Sequence, residues 1–259
     1  MGSSKPIGVF DSGIGGLTVL KGLKELLPHE NWIYLGDTAR LPYGSKSPET
    51  IRNYTLKNLN FLKSFDCKAF VIACNSASTQ FSESDFQGIP VFNVIDPGVQ
   101  AALSFGASNK LGIIGTKATI NSDIYRKKLI DNNYQGTISS QACPLFVPLV
   151  EEGLFSGKIT DLIIEKYLTD FKAQQIQSLI LGFTHYPLLK DAIQNFFPNS
   201  LSLITSEKFM SQNIKDKVAL SDKATQKTKI MTTDDFKNVK DLALKILNEV
   251  DLDFETVDY

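Results

Sequence analysis

Short apolar runs recur along the chain and alternate with longer stretches of mixed polarity. The runs are Ile7–Phe10, Trp32–Leu35, Ala69–Ala73, Pro90–Ile95, Lys110–Gly115, Ser178–Leu181, Leu201–Thr205 and Lys229–Thr232. Within them the apolar residues are continuous rather than alternating, as expected of strands buried on both faces of a parallel sheet. The clearest helix lies between two such runs. Ile51, Tyr54, Leu59, Leu62 and Phe65 recur at helical spacing. Its start is also legible: Ser47 can cap, Pro48 fits the first turn, and Glu49 favours the positive end of the dipole. The chain then returns to a strand at Ala69. This strand–helix–strand rhythm predicts the α/β class, with mostly parallel sheets flanked by helices. Residues Glu207–Lys223 are polar and read as a crossing connection.

There is an internal echo. Ala69–Ser76 runs from a strand into small polar residues, and Ser178–His185 does the same much later. Gly8–Ser12 and Gly112–Thr116 form a second such pair. A duplicated domain follows, with two sets of strand ends facing each other. Chance similarity between α/β strand ends is the alternative.

Composition narrows the classes. The 259 residues suit one large domain or two of about 100–150 residues. Lys and Arg number 27 and Asp and Glu 28, a net charge of −1. That balance gives no electrostatic reason to expect nucleic acid or an anionic membrane. No apolar run reaches the roughly 18–20 residues that span a bilayer. Met1–Lys5 has no hydrophobic signal core, so a cytoplasmic protein is expected. The three cysteines, Cys67, Cys74 and Cys143, form no C-x-x-C pair, which argues for reduced thiols. With two histidines, His29 and His185, a zinc cluster is not expected.

In open α/β sheets ligands bind beyond the carboxyl ends of strands. The residues there are Asp11-Ser12-Gly13, Gly36-Asp37-Thr38, Cys74-Asn75-Ser76, Asp96-Pro97-Gly98, Thr116 and Thr184-His185. The glycines of Asp11–Gly16 do not fit G-x-G-x-x-G, so a nucleotide site is not indicated. Cys74 reads as a thiolate whose pKa a following helix N-terminus would lower, or as a small core residue. Cys67 and Cys143 read as structural, and His29 as a solvated loop residue. His185 follows a buried strand and is a candidate for chemistry. Asp11 either orients a substrate amine or thiol, or caps the next helix. Tyr43 either lines a pocket or packs a turn.

Gly8–Val19, Tyr34–Arg40 with Pro42-Tyr43-Gly44, Ala73–Ser78, Cys143–Glu151 and Leu181–Leu189 together resemble the motifs of glutamate racemases, in the family's order. The resemblance implies two pseudo-symmetric α/β domains with the active site in the cleft between them. The expected boundaries are 1–97 plus 208–259, and 98–207. It also implies interconversion of L- and D-glutamate without cofactor or metal, supplying D-glutamate for peptidoglycan. Two thiols flank the α-carbon: one removes the proton and the other returns one to the opposite face. A single group would only regenerate the starting enantiomer. Carried across by motif, Cys74 resembles the first thiol and Asp11 its polar assistant. Ser12, Pro42, Tyr43, Gly44, Asn75, Ser76 and Thr184 resemble the substrate clamp, with Ser76 where the family usually has Thr. Thr116 and Thr119 are expected to reach the substrate. His185 resembles the imidazole that assists the second thiol, and Glu151 belongs to the same side.

One position departs from the pattern. The second thiol is expected between Gly182 and Thr184, where this sequence has Phe183. Phenylalanine has no exchangeable proton, and it is expected to project into a pocket shaped for a small amino acid. In the family the Cys74-type thiol serves D-glutamate and the missing one serves L-glutamate. The sequence is therefore compatible with an impaired racemase, with a glutamate-binding or regulatory homologue, or with a single-thiol enzyme of the superfamily. A homodimer is expected from the family. Some members also bind DNA gyrase, and no feature of this sequence points to that partner.

Overall fold

The computed structural model describes residues 3–106, 108–197, 201–222, 226–234, 236–249 and 252–259; Met1 and Gly2 of the N-terminal segment lie outside them. In chain order the elements are β1 (Ile7–Asp11), α1 (Leu17–Leu26), β2 (Trp32–Gly36), α2 (Pro48–Lys63), β3 (Ala69–Ile72), α3 (Asn75–Ser78), β4 (Asp85–Phe86), β5 (Ile89–Asn93) and α4 (Ile95–Ser104). They continue with β6 (Leu111–Gly115), α5 (Lys117–Ser122), α6 (Ile124–Asp131), β7 (Ile138–Ala142), α7 (Phe146–Glu151), α8 (Lys158–Ala173), β8 (Ser178–Gly182) and α9 (Lys190–Phe196). The last are β9 (Ser202–Ile204), α10 (Glu207–Lys217), β10 (Thr228–Thr232), α11 (Phe236–Leu247) and β11 (Asp253–Thr256).

The strands form two sheets, one of seven strands in the order β11-β10-β2-β1-β3-β5-β4 and one of four in the order β7-β6-β8-β9. Every ladder is parallel except β4–β5. All residues of β1, β2, β3, β6 and β8 are buried, which is why their apolar runs show no alternation. β1 lies between β2 and β3, and β6 lies between β7 and β8. The two echoing sequence pairs therefore occupy matching places in the two sheets. The helix opened by Ser47 forms as expected, with Ser47 Oγ accepting from Thr50 N–H at 3.2 Å.

The first sheet is covered on both faces. Trp32 and Tyr34 pack with Leu17, Leu20 and Leu23 of α1 on one side. Phe10, Ile33 and Leu35 pack with Ile51, Leu59 and Leu62 of α2 on the other. The polar segment from Glu207 is not a crossing connection in its first part but helix α10. Its narrow stripe of Met210, Ser211 and Ile214 is buried, and it packs on α1 and α4. No helix of the described residues is long and apolar enough to cross a membrane.

Candidate active site

The carboxyl ends of β1 and β3 make one rim of the site. At the end of β1 the buried Asp11 holds the turn that leads into α1. Its Oδ2 accepts from the N–H groups of Gly13 at 3.1 Å and Gly16 at 3.2 Å. A Cβ on Gly16 would lie 2.6 Å from Asp11 Cβ, so this approach needs glycine. Asp11 thus ties down the turn before α1, whose N-cap is Gly16 rather than Asp11, and its Oδ1 accepts from Thr184 across the rims. At the end of β3, Cys74 is the N-cap of α3, and its Sγ accepts from Ala77 N–H at 3.4 Å. The thiol lies 3.6 Å from Ser12 Oγ, to which it donates.

The ends of β6 and β8 make the facing rim, and side chains join the two. Thr184 Oγ1 donates to Asp11 at 3.3 Å. The hydroxyls of Ser76 and Thr116 are 2.9 Å apart, and Thr116 is 3.0 Å from Thr119 Oγ1. Tyr125 OH donates to Asn75 Oδ1 at 2.7 Å, and Thr18 Oγ1 donates to Thr184 O at 3.0 Å. A Cβ on Gly44 would be 2.5 Å from Thr116 Cβ, so the Tyr43-Gly44 turn also rests on the second rim. Asp11, Ser12, Cys74, Asn75, Thr184 and His185 are all buried. A void of about 20 Å³ remains beside Thr18, Asn75, Tyr125, Phe183 and Thr184, which suffices for one water. An amino acid reaches these groups only if the rims separate.

Past the end of β8 the character changes. The Phe183 ring lies flat on the His185 imidazole, with centroids 4.7 Å apart at an interplanar angle of 12°. It is tilted against Tyr186 and shares an apolar cluster with Cys143, Phe146 and Val150. The ring is thus packed into the second sheet's core and also borders the small void. His185 is fully buried, and neither ring nitrogen has a hydrogen-bond partner among the described residues. Its Nε2 is 3.6 Å from Glu151 Oε1, so the two residues expected on one side do meet there. A Cβ on Gly15 would be 2.2 Å from His185 Nδ1, which seats the imidazole directly on that glycine's backbone.

Burial governs the protonation of the first rim. It raises the Asp11 pKa above its ordinary value, against the opposing effects of nearby His185 and of the Gly13, Gly16 and Ser12 amides. Burial, and then the Asp11 charge, push the Cys74 thiol up to about 12, although bonds from Ala77 and Ser12 oppose this. The sequence suggests a lowered thiol pKa at a helix start. That expectation fails here because α3 is only four residues long and desolvation outweighs its amides.

Other expected positions separate by role. The Tyr43 phenol is buried and committed to Asp37 and Asn58, so what Tyr43 offers the cleft is backbone. Pro42 faces solvent. Cys67 and Cys143 are buried, and their thiols lie near the carbonyls of Leu62 and Gln141; His29 is exposed. Thr18, Tyr34 and Tyr125 were not singled out by sequence. Tyr34 OH donates to Gly13 O at 2.8 Å and so braces the turn after β1. Thr18 falls inside the opening motif Gly8–Val19, whereas nothing local marks Tyr125. Among the described residues no group of three or more His, Cys, Asp or Glu could hold a metal ion.

Residues 7–208 match the Asp/Glu/Hydantoin racemase family. The chain is 46% identical over 243 residues to the glutamate racemase of Persephonella marina, covering 92% of this chain and 93% of that one. It is 44% identical to the glutamate racemase of Aquifex aeolicus, covering 94% of each. Among solved structures it resembles the Francisella tularensis glutamate racemase in complex with D-glutamate, with a TM-score of 0.88, 35% identity and 98% of each chain covered. The Thermus thermophilus glutamate racemase in complex with β-chloro-D-alanine gives a TM-score of 0.86 at 38% identity, covering 98% of this chain and 97% of that one. On this similarity, and on the paired strand-end rims, the chain belongs to the Asp/Glu/hydantoin racemase family.

Proposed function

We propose that this chain is a glutamate racemase-type protein that uses thiol acid–base chemistry without cofactor, with Cys74 as its working thiol and with two-base turnover impaired by Phe183. The observation that carries the reading is the buried Cys74 at the end of β3, set beside Ser12 on the rim where Asp11 meets Thr184. Removal of the α-proton puts negative charge on the substrate carboxylate. Ser76, Thr116, Thr184 and Asn75 are the nearby donors able to stabilise it once the rims open. A substrate ammonium beside Asp11 and Cys74 would offset the desolvation that raises both pKa values. The relative solved with D-glutamate bound supports the substrate class.

Racemisation also needs a proton delivered to the opposite face, and Phe183 has none to give. His185 is the imidazole on that rim; its ring nitrogens have no hydrogen-bond partner among the described residues, and its Nε2 lies 3.6 Å from Glu151 Oε1. The expected chemistry is therefore one-sided: D-glutamate exchanges its α-proton with solvent, and inversion is slow and depends on His185. The domain boundaries 1–97 plus 208–259, and 98–207, belong to the same reading. They are supported by β10 and β11 joining the first sheet and β9 the second. Supply of D-glutamate for peptidoglycan, a cytoplasmic location and a homodimer follow from the family reading.

Racemisation of L- and D-glutamate followed by circular dichroism, beside the Phe183→Cys variant, tests this. The variant is expected to exceed the natural chain by about 10²–10⁴-fold, the scale of a positioned acid–base group. Equal rates would sink the role given to Phe183. Silence in both, with glutamate raising the melting temperature, would favour the second reading, a glutamate-binding homologue.

A further inference from the structure

Behind the Pro42–Gly44 turn lies a chain of polar side chains that the chemistry above does not use. After β11, Val257 N–H donates to Thr232 O at 2.9 Å and carries the backbone on toward the first rim. Tyr259 then stacks on Phe61 of α2, with ring centroids 4.1 Å apart at 14°. Its hydroxyl donates to Asn58 Oδ1 at 2.7 Å. Asn58 Nδ2 donates to Tyr43 OH at 3.0 Å, and Tyr43 OH donates to Asp37 Oδ2. Arg40 closes the circuit: Nη1 pairs with Asp37 Oδ1 at 2.7 Å and Nη2 donates to Tyr259 O at 3.2 Å.

From Tyr259 through Asn58 and Tyr43, each donor points toward Asp37. Asn58 uses its carbonyl for one tyrosine and its amide for the other, so its orientation is set. Asp37, Tyr43 and Asn58 are fully buried, and Tyr259 is half-buried at the outer end of the chain. In a buried directional chain the bonds polarise one another, so loosening one end weakens the rest. The turn at the far end has little slack, because Gly44 already sits against Thr116.

We propose that Tyr259 is a positioning residue for the substrate turn: through Asn58 and Tyr43 it fixes the backbone of Pro42–Gly44 against the second rim. The substrate part of this rests on the racemase reading, whose family resemblance places Pro42, Tyr43 and Gly44 in the substrate clamp. A residue that merely packs would behave differently, since Tyr259→Phe keeps the stack on Phe61 and removes only the donor to Asn58.

The test compares the full chain with Tyr259→Phe and Tyr259→Ala, reading amide hydrogen exchange over residues 42–47, D-glutamate affinity by calorimetry, and melting temperature. Tyr259→Phe is expected to melt close to the natural chain, to exchange about 5–10-fold faster over 42–47, and to bind D-glutamate about 5-fold more weakly. Tyr259→Ala should show both effects more strongly. Unchanged exchange in Tyr259→Phe would overturn the proposal. Faster exchange with unchanged affinity would overturn its substrate part. If the natural chain binds no D-glutamate, the functional reading fails, while exchange over 42–47 still decides whether Tyr259 holds the turn.

Discussion

The ends of β3 and β8 hold matching places in two sheets built alike, and they meet across one cleft. At the first, a thiol accepts from a helix amide and donates to a serine hydroxyl. At the second, a phenyl ring lies flat on an imidazole whose nitrogens have no hydrogen-bond partner among the described residues. The fold specifies where a group stands and not what kind of group it is. Phe183 finds Tyr186, Phe146 and Val150 as apolar neighbours, so the second sheet accommodates a large ring at the rim. On the proposed reading, this position satisfies packing with a ring while offering no proton to transfer.

The first rim alone should carry exchange chemistry. Cys74→Ala is expected to abolish solvent exchange of the D-glutamate α-proton, by about 10³-fold or more, followed by NMR in deuterated water. Exchange that survives this change would move the chemistry to the His185 rim and break the comparison. The pH profile sharpens it: with the free thiol at about 12, kcat/KM for exchange, which reports the free enzyme, should climb roughly tenfold per pH unit between about pH 7 and 9. A plateau of kcat/KM in that range would mean that a group other than the Cys74 thiol takes the proton.

Smaller effects test how tightly the rims are joined. Gly15→Ala would drive a methyl into His185 and Thr184, at a cost of about 1–3 kcal/mol. Urea unfolding measures this, and an unchanged midpoint would show the imidazole to be loosely held. For Asp11 the sign runs toward instability at high pH. Its folded pKa is raised, so the stability it contributes is fully present below its ordinary value and is lost as pH rises through the raised one. Asp11→Asn should therefore equal or exceed the natural chain at pH 8 by about 0.5–1 kcal/mol, with the advantage shrinking toward pH 4. A loss at pH 8 would mean that its hydrogen bonds to Gly13 and Gly16 matter more than its desolvation.

How much of this was legible in sequence depended on whether the cause was local. β1, β3, β6 and β8 are buried on both faces, so their residues are apolar or glycine except Asp11 and Ser178 at strand ends. β7 is Ile-Ser-Ser-Gln-Ala with no fully buried residue, and β11 is mostly exposed. As edge strands they need no continuous apolar run, and both were missed. β4 escaped because it is two residues long, joined to β5 by Gln87 and Gly88 at positive φ. The residues after the strands were legible for the same reason, since strand direction alone puts Asp11, Cys74, Thr116 and Thr184 on the rims. The Tyr259–Asn58 link spans 201 positions, and no local pattern announces it. The flat stack of Phe183 on His185 likewise depends on rotamers that the sequence leaves open.

Trp32 is the single tryptophan of the chain, 1% exposed and packed with α1 and α11 residues at the start of β2, opposite the end that reaches the rim. Its emission should be blue-shifted and indifferent to whether the cleft is open or filled. It is a built-in optical reporter for the first sheet alone. If the second sheet melts first, far-ultraviolet ellipticity will fall while the tryptophan spectrum stays put, and the gap between the two curves will read out how independently the halves fold.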